Sequence, residues 1–279
     1  MTTSQTLGMW DRDEEKLLGD LYKEVEGEQG NWSFQPEEAF IIRVDGRAFH
    51  TFTNGMEKPF SPILDACRNA AAEAVLKSMK PTFVYHQSDE LSFVWDKVKE
   101  PAVEHIFGGR TDKIMTLVAS LTSAAFIREY IKLTGDFSKT PHFDGRVAAR
   151  FSGEGTEALE GAIKCVQWRE NDALRNSMQM FGQSMFSHKQ LNKKSVGDIY
   201  DMCLAEKGQD WYDALPEFRR GTYVTIGKID KPITEEQRLL IPEKHRPEPG
   251  TIVTRSAFKR HFFDDWDIPN RIKTLVEAD

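Results

Sequence analysis

The sequence is poor in cysteine, and the three cysteines that it contains are scattered. Cys67, Cys165 and Cys203 are odd in number among 279 residues and share no metal-ligand spacing. Neither a disulfide framework nor a zinc knuckle is therefore expected. A chain of this length can bury a complete core without such cross-links. The cysteine pattern is typical of a protein of the reducing cytoplasm.

The sequence also lacks long apolar runs at its start. The first twenty residues are rich in acidic side chains and have no apolar stretch of the length that a signal peptide needs. No later run is expected to approach a membrane span. We therefore expect a cytoplasmic protein that does not contact membranes.

Positive charge is not in excess either. The chain has 37 Lys and Arg against 44 Asp and Glu, which gives a formal net charge of -7. Proteins that coat nucleic acid present a broad basic surface, so this class is disfavoured and any RNA contact is expected to be local. The chain shows no P-loop, Rossmann fingerprint or Ser-His-Asp order that would indicate other chemistry.

Apolar periodicity predicts a mixture of helices and hairpin-linked strands. A β-rich run starts at Ala39 and stops at Asp45-Gly46, a strong turn signal. Ser61 and Pro62 are typical of a helix start, and apolar spacing continues the helix to about Met79. Further elements are predicted as a hairpin over 82–95, helices over 12–27, 112–131, 156–186 and 194–208, and strands over 143–151 and 221–227.

This order of elements predicts an α+β fold with a largely antiparallel sheet and flanking helices. No linker rich in Pro, Gly or Ser divides the chain. We interpret residues 1–228 as one catalytic domain with a helical lead-in and a helical insert. Residues 229–279 are interpreted as a C-terminal extension that packs on it.

Acidic residues stand at the ends of predicted strands. Asp45 ends the first strand, and Asp89 and Glu90 lie at the hairpin turn. A sheet that places these strands side by side brings Asp45 and Asp89 together, and Mg²⁺ is well served by one or two carboxylates with waters and phosphates. Two such ions could activate a hydroxyl and clamp a phosphoryl group. The simpler interpretation is that both motifs are polar turns.

Basic side chains suited to a triphosphate occur nearby in the sequence. Lys58 precedes the first long helix, and Arg110 and Lys113 lie one helical turn apart at the start of a later one, where the helix dipole also favours anions. Isolated cations are more often solvated surface charge, and spacing alone does not decide between the two.

Several stretches resemble the tRNA-histidine guanylyltransferases and their bacterial, archaeal and phage-like relatives, known as 3′-to-5′ polymerases. The resemblance covers about residues 12–225 and is most specific in the pairing of DGR with QSDE. The stretches that carry it are RVDGRAFHTFT at 43–53, EKPFS at 57–61, YHQSDELSFVW at 85–95, FDGRV at 143–147, WREND at 168–172, SHKQLNKKS at 187–195 and FRRGTYV at 218–224.

The resemblance implies a polymerase palm-like (ferredoxin-like) catalytic domain. In that family, ATP activates the 5′-monophosphate of an RNA, and the 3′-hydroxyl of an incoming GTP then attacks the activated end. It also implies tRNA as partner, a homotetramer, and two Mg²⁺ ions held by Asp45, Asp89 and the carbonyl of Gly46, with Glu90 in support. The nucleotide would contact Asp45, Gly46, Arg47, Ala48, Phe49, His50, Ser88 and Asp89, and its triphosphate would contact Lys58, Arg110 and Lys113.

Two departures favour the branch of this family without histidine-tRNA specificity. Where the histidine-tRNA enzymes carry His-x-Asn-Asn, residues 174–177 read Leu-Arg-Asn-Ser, and Phe60-Ser61 replaces Asn-Asp near the expected guanine pocket. We therefore expect templated 5′-end repair or extension of tRNA rather than dedicated guanylylation. The alternatives are a cyclase-like palm enzyme, which needs no RNA, and an inactive RNA-binding module.

Overall fold

The computed structural model describes residues 32–100 and 103–277. The helix predicted over 12–27 lies outside the described residues. Six antiparallel strands form one sheet, with bounds β1 Ala39–Gly46, β2 Phe83–Gln87, β3 Glu90–Trp95, β4 Phe143–Phe151, β5 Thr222–Pro232 and β6 Ile252–His261. Their order across the sheet is β4-β1-β3-β2-β5-β6. The predicted α+β fold with an antiparallel sheet is confirmed.

Helices cover both faces of the sheet. The predicted helices over 112–131, 156–186 and 194–208 are confirmed to within three residues at each end. The predicted start of the first long helix is also confirmed, since the Ser61 hydroxyl accepts a hydrogen bond from the Leu64 N–H. The α-helices are α1 Phe49–Phe52, α2 Pro62–Met79, α3 Thr111–Thr134, α4 Glu157–Gln183, α5 His188–Leu191, α6 Val196–Lys207, α7 Pro216–Arg220, α8 Glu235–Leu239 and α9 Ile268–Ile272.

The core lies on both sides of the sheet because strand residues alternate between its faces. On one face, Phe40, Ile42 and Val44 of β1 pack with the buried sides of α2 and α3. On the other face, Ala39 and Ile41 pack with α4 and the C-terminal residues 263–276. Asp45 continues the second series, so its side chain belongs to the face that α4 covers. A smaller cluster joins the end of α4 to α6.

Helix α3 is long and apolar enough to cross a membrane by length and composition alone. The expectation that no run approaches a membrane span is therefore wrong for this segment. Its buried residues include Ile114, Val118 and Phe126 in the core, whereas Asp112 and Arg128 are exposed. A single helix packed in this way is weak evidence for a membrane span.

The C-terminal region contributes to the same sheet. Strand β6 pairs with β5 over its whole length, from Tyr223 opposite His261 to Pro232 opposite Ile252. The boundary predicted at 228/229 falls inside β5. The division into a catalytic domain and an extension stays a prediction.

Candidate active site

The end of β1 and the β2–β3 turn meet at one corner of the sheet. Strand pairing places Asp45 opposite Glu90, and the N–H of Gly46 donates a hydrogen bond to the carbonyl of Asp89 at 3.0 Å. Because Gln87 pairs with Glu90, only Ser88 and Asp89 form the turn. The structure therefore brings Asp45 and Asp89 together, as the sequence predicts, and places Glu90 at the start of β3.

The carboxylate of Asp89 lies close to a second negative charge. Burial and the nearby charge of Asp45 raise the pKa of Asp89 above its ordinary value of 3.8. The neighbouring arginines pair with other acids, Arg43 and Arg169 with Glu90 and Arg146 with Asp144. Among residues 32–100 and 103–277, neither Asp45 nor Asp89 forms an ion pair. A divalent cation fits this pair of carboxylates, because its charge would relieve their repulsion.

Glu90 is held differently from the two aspartates. Arg169 of α4 donates two hydrogen bonds to its carboxylate, Nε to Oε1 at 2.8 Å and Nη2 to Oε2 at 2.6 Å. Burial opposes the charge of Arg169, but its contact with Glu90 keeps the pKa of Arg169 above its ordinary value. The carboxylate of Glu90 is thus neutralised by the protein. In the sequence, the only indication that Arg169 matters is its place in the WREND stretch at 168–172.

Asp144 lies beside the same corner. Asp144 has no partner acid nearby in the sequence, which predicts a structural role for it, but strand pairing places it directly opposite Asp45. This neighbour is not visible in the sequence because β4 pairs with β1 only in the folded sheet. The Asp144 side chain is more than half exposed and pairs with Arg146 at 3.0 Å, so its charge is locally balanced.

A cleft of about 380 Å³ opens beside Asp89, and Asp45 is not among the residues that line it. It contains five of the predicted nucleotide contacts and is otherwise lined by apolar, hydroxyl and amide side chains and by the carboxylate of Glu57. The predicted contacts in its lining are Phe49, His50, Lys58, Ser88 and Asp89, and the other lining residues are Thr53, Met56, Glu57, Pro59, Ser61, Leu64, Met180, Gln183 and Ser184.

Backbone geometry after β1 determines how the cleft begins. A Cβ at Gly46 would lie 2.2 Å from the Phe49 ring, so glycine lets the buried ring pack under the strand end. Ala48 has a positive φ of 54° and turns the chain into α1, which carries Phe49 and His50. The N–H of Arg47 donates to the carbonyl of His142 at 2.8 Å, which fixes this turn to the start of β4.

Arg68 of α2 supports the turn that carries Asp89. Its Nη1 donates to the carbonyl of Ser88 at 2.9 Å, and its Nη2 donates to Asp65 at 3.0 Å. Ser88 has a positive φ of 48°, which a serine rarely adopts without such support. Sequence patterns did not single out Arg68, because it lies among the apolar residues of a helix without a motif of its own.

Arg110 and Lys113 lie away from the cleft within one chain. The segment before α3 is tied to the region preceding β1, since the N–H of Phe34 donates to the carbonyl of Gly109 and the Phe34 ring stacks on Phe40. Phe40 is near the start of β1, and Asp45 is near its end. The rise of a strand separates them by roughly 17 Å. The structure thus does not bring these two cations to the cleft in one chain.

Comparisons with known proteins agree with this architecture. A family model described as "Thg1: tRNAHis guanylyltransferase" matches residues 20–150. A relative from Drosophila melanogaster, named probable tRNA(His) guanylyltransferase, is 27% identical over 270 residues, which cover 88% of this chain and 87% of the relative.

Two solved structures of bacterial tRNA(HIS) guanylyltransferase (Thg1)-like proteins are similar as well. The complex with ATP is 28% identical with a TM-score of 0.67, over 75% of this chain and 88% of that one. The complex with GTP is 22% identical with a TM-score of 0.61, over 93% and 97%, and shows the shared fold. The sheet has the palm-like fold of these neighbours, and the family model, the curated relative and the solved structures together support a member of the Thg1-like family of nucleotidyltransferases.

Proposed function

We propose that this chain is a magnesium-dependent 3′-to-5′ nucleotidyltransferase that adds nucleotides to the 5′ end of tRNA in templated end repair. GTP is the expected incoming nucleotide and ATP the expected activator, consistent with the ATP and GTP bound to the bacterial relatives. The observation that carries the proposal is the pair of aspartates beside the cleft. Both lack a cationic partner among the described residues, and each repels the other.

Bound Mg²⁺ would neutralise charge on the phosphates and lower the pKa of an attacking hydroxyl. Asp45 and Asp89 supply its carboxylate ligands in this proposal, and the carbonyl of Gly46 adds a third oxygen. Glu90, held by Arg169, keeps β3 in register beside Asp45. Phosphoryl transfer needs little else from the protein than correct placement and charge stabilisation.

The nucleotide would occupy the cleft between the β2–β3 turn and the loop that follows α1. Ser88 and Asp89 form one wall, and Phe49, His50 and Lys58 form another. Arg47 and Ala48 place these side chains by turning the chain after β1. Lys58 provides the positive charge that a triphosphate requires on this side of the cleft.

The proposed preference for truncated tRNA rests on Phe60 and Ser61, which occupy the positions of Asn-Asp in the histidine-tRNA enzymes. Phe60, instead of asparagine, stacks on Phe218 with ring centroids 5.1 Å apart, and the Ser61 hydroxyl caps α2. The Phe60 ring has no polar atom that could select guanine, and the Ser61 oxygen is engaged by the N–H of Leu64, so pairing with the RNA template would choose the incoming base. This arrangement supports repair of truncated 5′ ends over addition of one fixed nucleotide.

We place the enzyme in the cytoplasm, in keeping with its three free thiols. We also propose that it assembles as a homotetramer. In this proposal, Arg110 and Lys113 bind the triphosphate in the cleft of a neighbouring chain of the tetramer. Since they lie far from the cleft of their own chain, they would meet a triphosphate only across an interface between chains. Closed symmetry would then give every cleft the same pair of cations.

The proposal is tested with labelled tRNA transcripts that are intact or truncated at the 5′ end. Each carries a 5′-monophosphate or 5′-triphosphate and is incubated with each nucleoside triphosphate and Mg²⁺. We expect truncated RNA to be extended by nucleotides complementary to the opposite strand. Exclusive addition of an untemplated G to histidine tRNA, or formation of a cyclic nucleotide without RNA, would contradict the proposed reaction.

A further inference from the structure

A buried ionic cluster joins the C-terminal segment to the helix that covers the active-site face. Glu170 of α4 is 1% exposed and accepts hydrogen bonds from Arg220 at 2.8 Å, from the Tyr223 hydroxyl at 2.8 Å and from Arg271 at 2.7 Å. Arg271 belongs to α9 and is fully buried. It also donates to the Tyr223 hydroxyl at 2.7 Å. One carboxylate thus fixes α4 to β5, to the end of α7 and to α9.

A second guanidinium nitrogen of Arg271 and its aromatic contacts reinforce this connection. Its Nη2 donates to the carbonyl of Asp265, and its guanidinium lies over the rings of Phe263 and Trp266, 4.5 and 5.4 Å from their centroids. The segment from Phe263 to α9 is therefore folded around a single arginine. It is held on α4 by the contact with Glu170, by a hydrogen bond from Gln167 to the carbonyl of Trp266 at 3.1 Å, and by apolar packing.

The cluster is next to the residue that holds Glu90. Glu170 directly follows Arg169, whose guanidinium donates two hydrogen bonds to the Glu90 carboxylate. Adjacent residues of a helix point in different directions, so Glu170 faces the C-terminal segment while Arg169 faces the strand ends. A shift or rotation of α4 would move both side chains together. The Arg169–Glu90 contact is short and bidentate, and it tolerates little displacement.

We propose that Arg271 is a positioning residue for nucleotidyl transfer. It acts through Glu170 and Arg169 to keep Glu90, and with it the Asp45–Asp89 corner, in the geometry that binds divalent cations. The inference deepens the function proposed above and rests on it. The segment from Phe263 to α9 then helps to position the active-site residues, although none of its side chains lines the cleft.

The ionic character of the cluster supports a geometric role. Two guanidinium groups and one carboxylate are buried together, and desolvation offsets much of the Coulomb energy of such groups. Well-packed apolar side chains of similar volume would stabilise the fold at least as well. What directional, charge-assisted hydrogen bonds add is one defined orientation of the elements that they join.

The test is a Mg²⁺ titration of RNA extension by Arg271→Met, with Mn²⁺ binding to the same protein followed by electron paramagnetic resonance as a readout independent of activity. The matched control is Arg260→Met, because Arg260 comes from the same C-terminal region and pairs with Glu73 at 3.7 Å on the opposite side of the sheet. Loss of folded protein lowers the maximal rate without moving the Mg²⁺ midpoint. Displaced ligands move the midpoint, and for Arg271→Met we expect a rise of about tenfold, with Arg260→Met within twofold of the wild type.

A double variant tests whether Arg271 acts through Arg169 or shifts the Mg²⁺ midpoint by an independent route. Arg169→Lys keeps the charge but removes the bidentate contact, so adding Arg271→Met to it should shift the midpoint much less than it does in the wild type. Should Arg271→Met not accumulate as folded protein, Tyr223→Phe removes one hydroxyl of the cluster and is expected to shift the midpoint in the same direction.

The inference is overturned if the folded Arg271→Met variant, or Tyr223→Phe in its place, keeps the wild-type Mg²⁺ midpoint. It is also overturned if the effects of Arg169→Lys and Arg271→Met simply multiply. Failure of the proposed function is distinguishable, because the wild-type protein itself would then not extend RNA.

Discussion

The carboxylate of Asp89 lies where a negative charge is unfavourable when no cation is bound. Burial and the charge of Asp45 raise its pKa, so the folded protein binds a proton at Asp89 more tightly than the unfolded chain does. The associated stability is fully present below the ordinary value of 3.8 and is lost as the pH rises through the folded value. At neutral pH, the charged side chain therefore destabilises the metal-free protein.

Replacing Asp89 by Asn should accordingly stabilise the metal-free protein at pH 7. We expect the unfolding temperature of Asp89→Asn to exceed that of the wild type by about 2 °C, with the difference vanishing as the pH falls towards 4. Mg²⁺ should raise the unfolding temperature of the wild type and leave that of the variant unchanged. Thermal unfolding followed by circular dichroism at several pH values measures both effects, and a variant that is less stable at pH 7 would contradict the account.

Arg169 should matter for stability as well as for geometry. Arg169→Met leaves the carboxylate of Glu90, which is 5% exposed, without its main partner. The free energy of unfolding should fall by about 3 kcal/mol, as measured by urea denaturation.

A matched control for Arg169→Met lies on the neighbouring strand. Arg146 pairs with Asp144, but both side chains are more than half exposed. Arg146→Met should therefore change the free energy of unfolding by no more than about 0.5 kcal/mol. Equal losses for the two variants would show that burial of Glu90 is not what makes its ion pair important.

At the scale of elements, local signals in the sequence predict most of the fold. Strand β1 ends at Asp45-Gly46 as its turn signal indicates, and α2 begins after Ser61 with Pro62 in its first position. Strand β4 has the predicted bounds, 143–151. These predictions succeed because capping, turn residues and apolar runs act within a few residues of one another.

Strand β6 is not predictable in the same way. Its residues alternate between exposed and half-buried, and both series contain polar side chains, so no apolar face is visible in the sequence. Its existence depends on pairing with β5. The register that places Asp144 beside Asp45, and the contact of Arg169 with Glu90, likewise depend on which distant elements become neighbours.

The connection that leads into α3 makes a specific demand on one glycine. Gly109 has a positive φ of 71°, and a Cβ there would lie 2.2 Å from the carbonyl oxygen of Phe34. Gly109→Ala should lower the free energy of unfolding by about 3 kcal/mol, because backbone strain is added to a clash with backbone. Gly135 also has a positive φ, but nothing lies within 4 Å. Gly135→Ala should cost only about 1 kcal/mol in the same urea titration, and equal losses would argue against the clash.

At the scale of the whole molecule, the predicted site residues do not all lie together within one chain. The aspartates and Lys58 lie at one end of β1, whereas Arg110 and Lys113 lie beside the other end. Sequence spacing could not reveal this separation, since helix α3 and strand β1 meet only through the tertiary fold. Motif similarity predicts which residues belong to the site, but it does not predict where the fold places them.

Complementation between inactive variants tests delivery across chains. Asp89→Asn lacks a metal ligand, and the double variant Arg110→Ala, Lys113→Ala lacks the distant cations. Co-expressed with different affinity tags and purified as mixed oligomers, they should recover on the order of one quarter of wild-type RNA extension, because half of the interfaces are mixed and each restores one of two sites. Mixed oligomers no more active than the separate variants would show that the two cations are not supplied across an interface between chains.

The central claim is that Asp45 and Asp89 share divalent cations beside the nucleotide cleft. Its most direct test is to titrate the protein with Mn²⁺, detected by electron paramagnetic resonance, in the presence of a non-hydrolysable nucleoside triphosphate. We predict that the wild type binds about two ions per chain and that Asp45→Asn and Asp89→Asn each lose this binding while remaining folded. Unchanged stoichiometry and affinity in both variants would contradict the account.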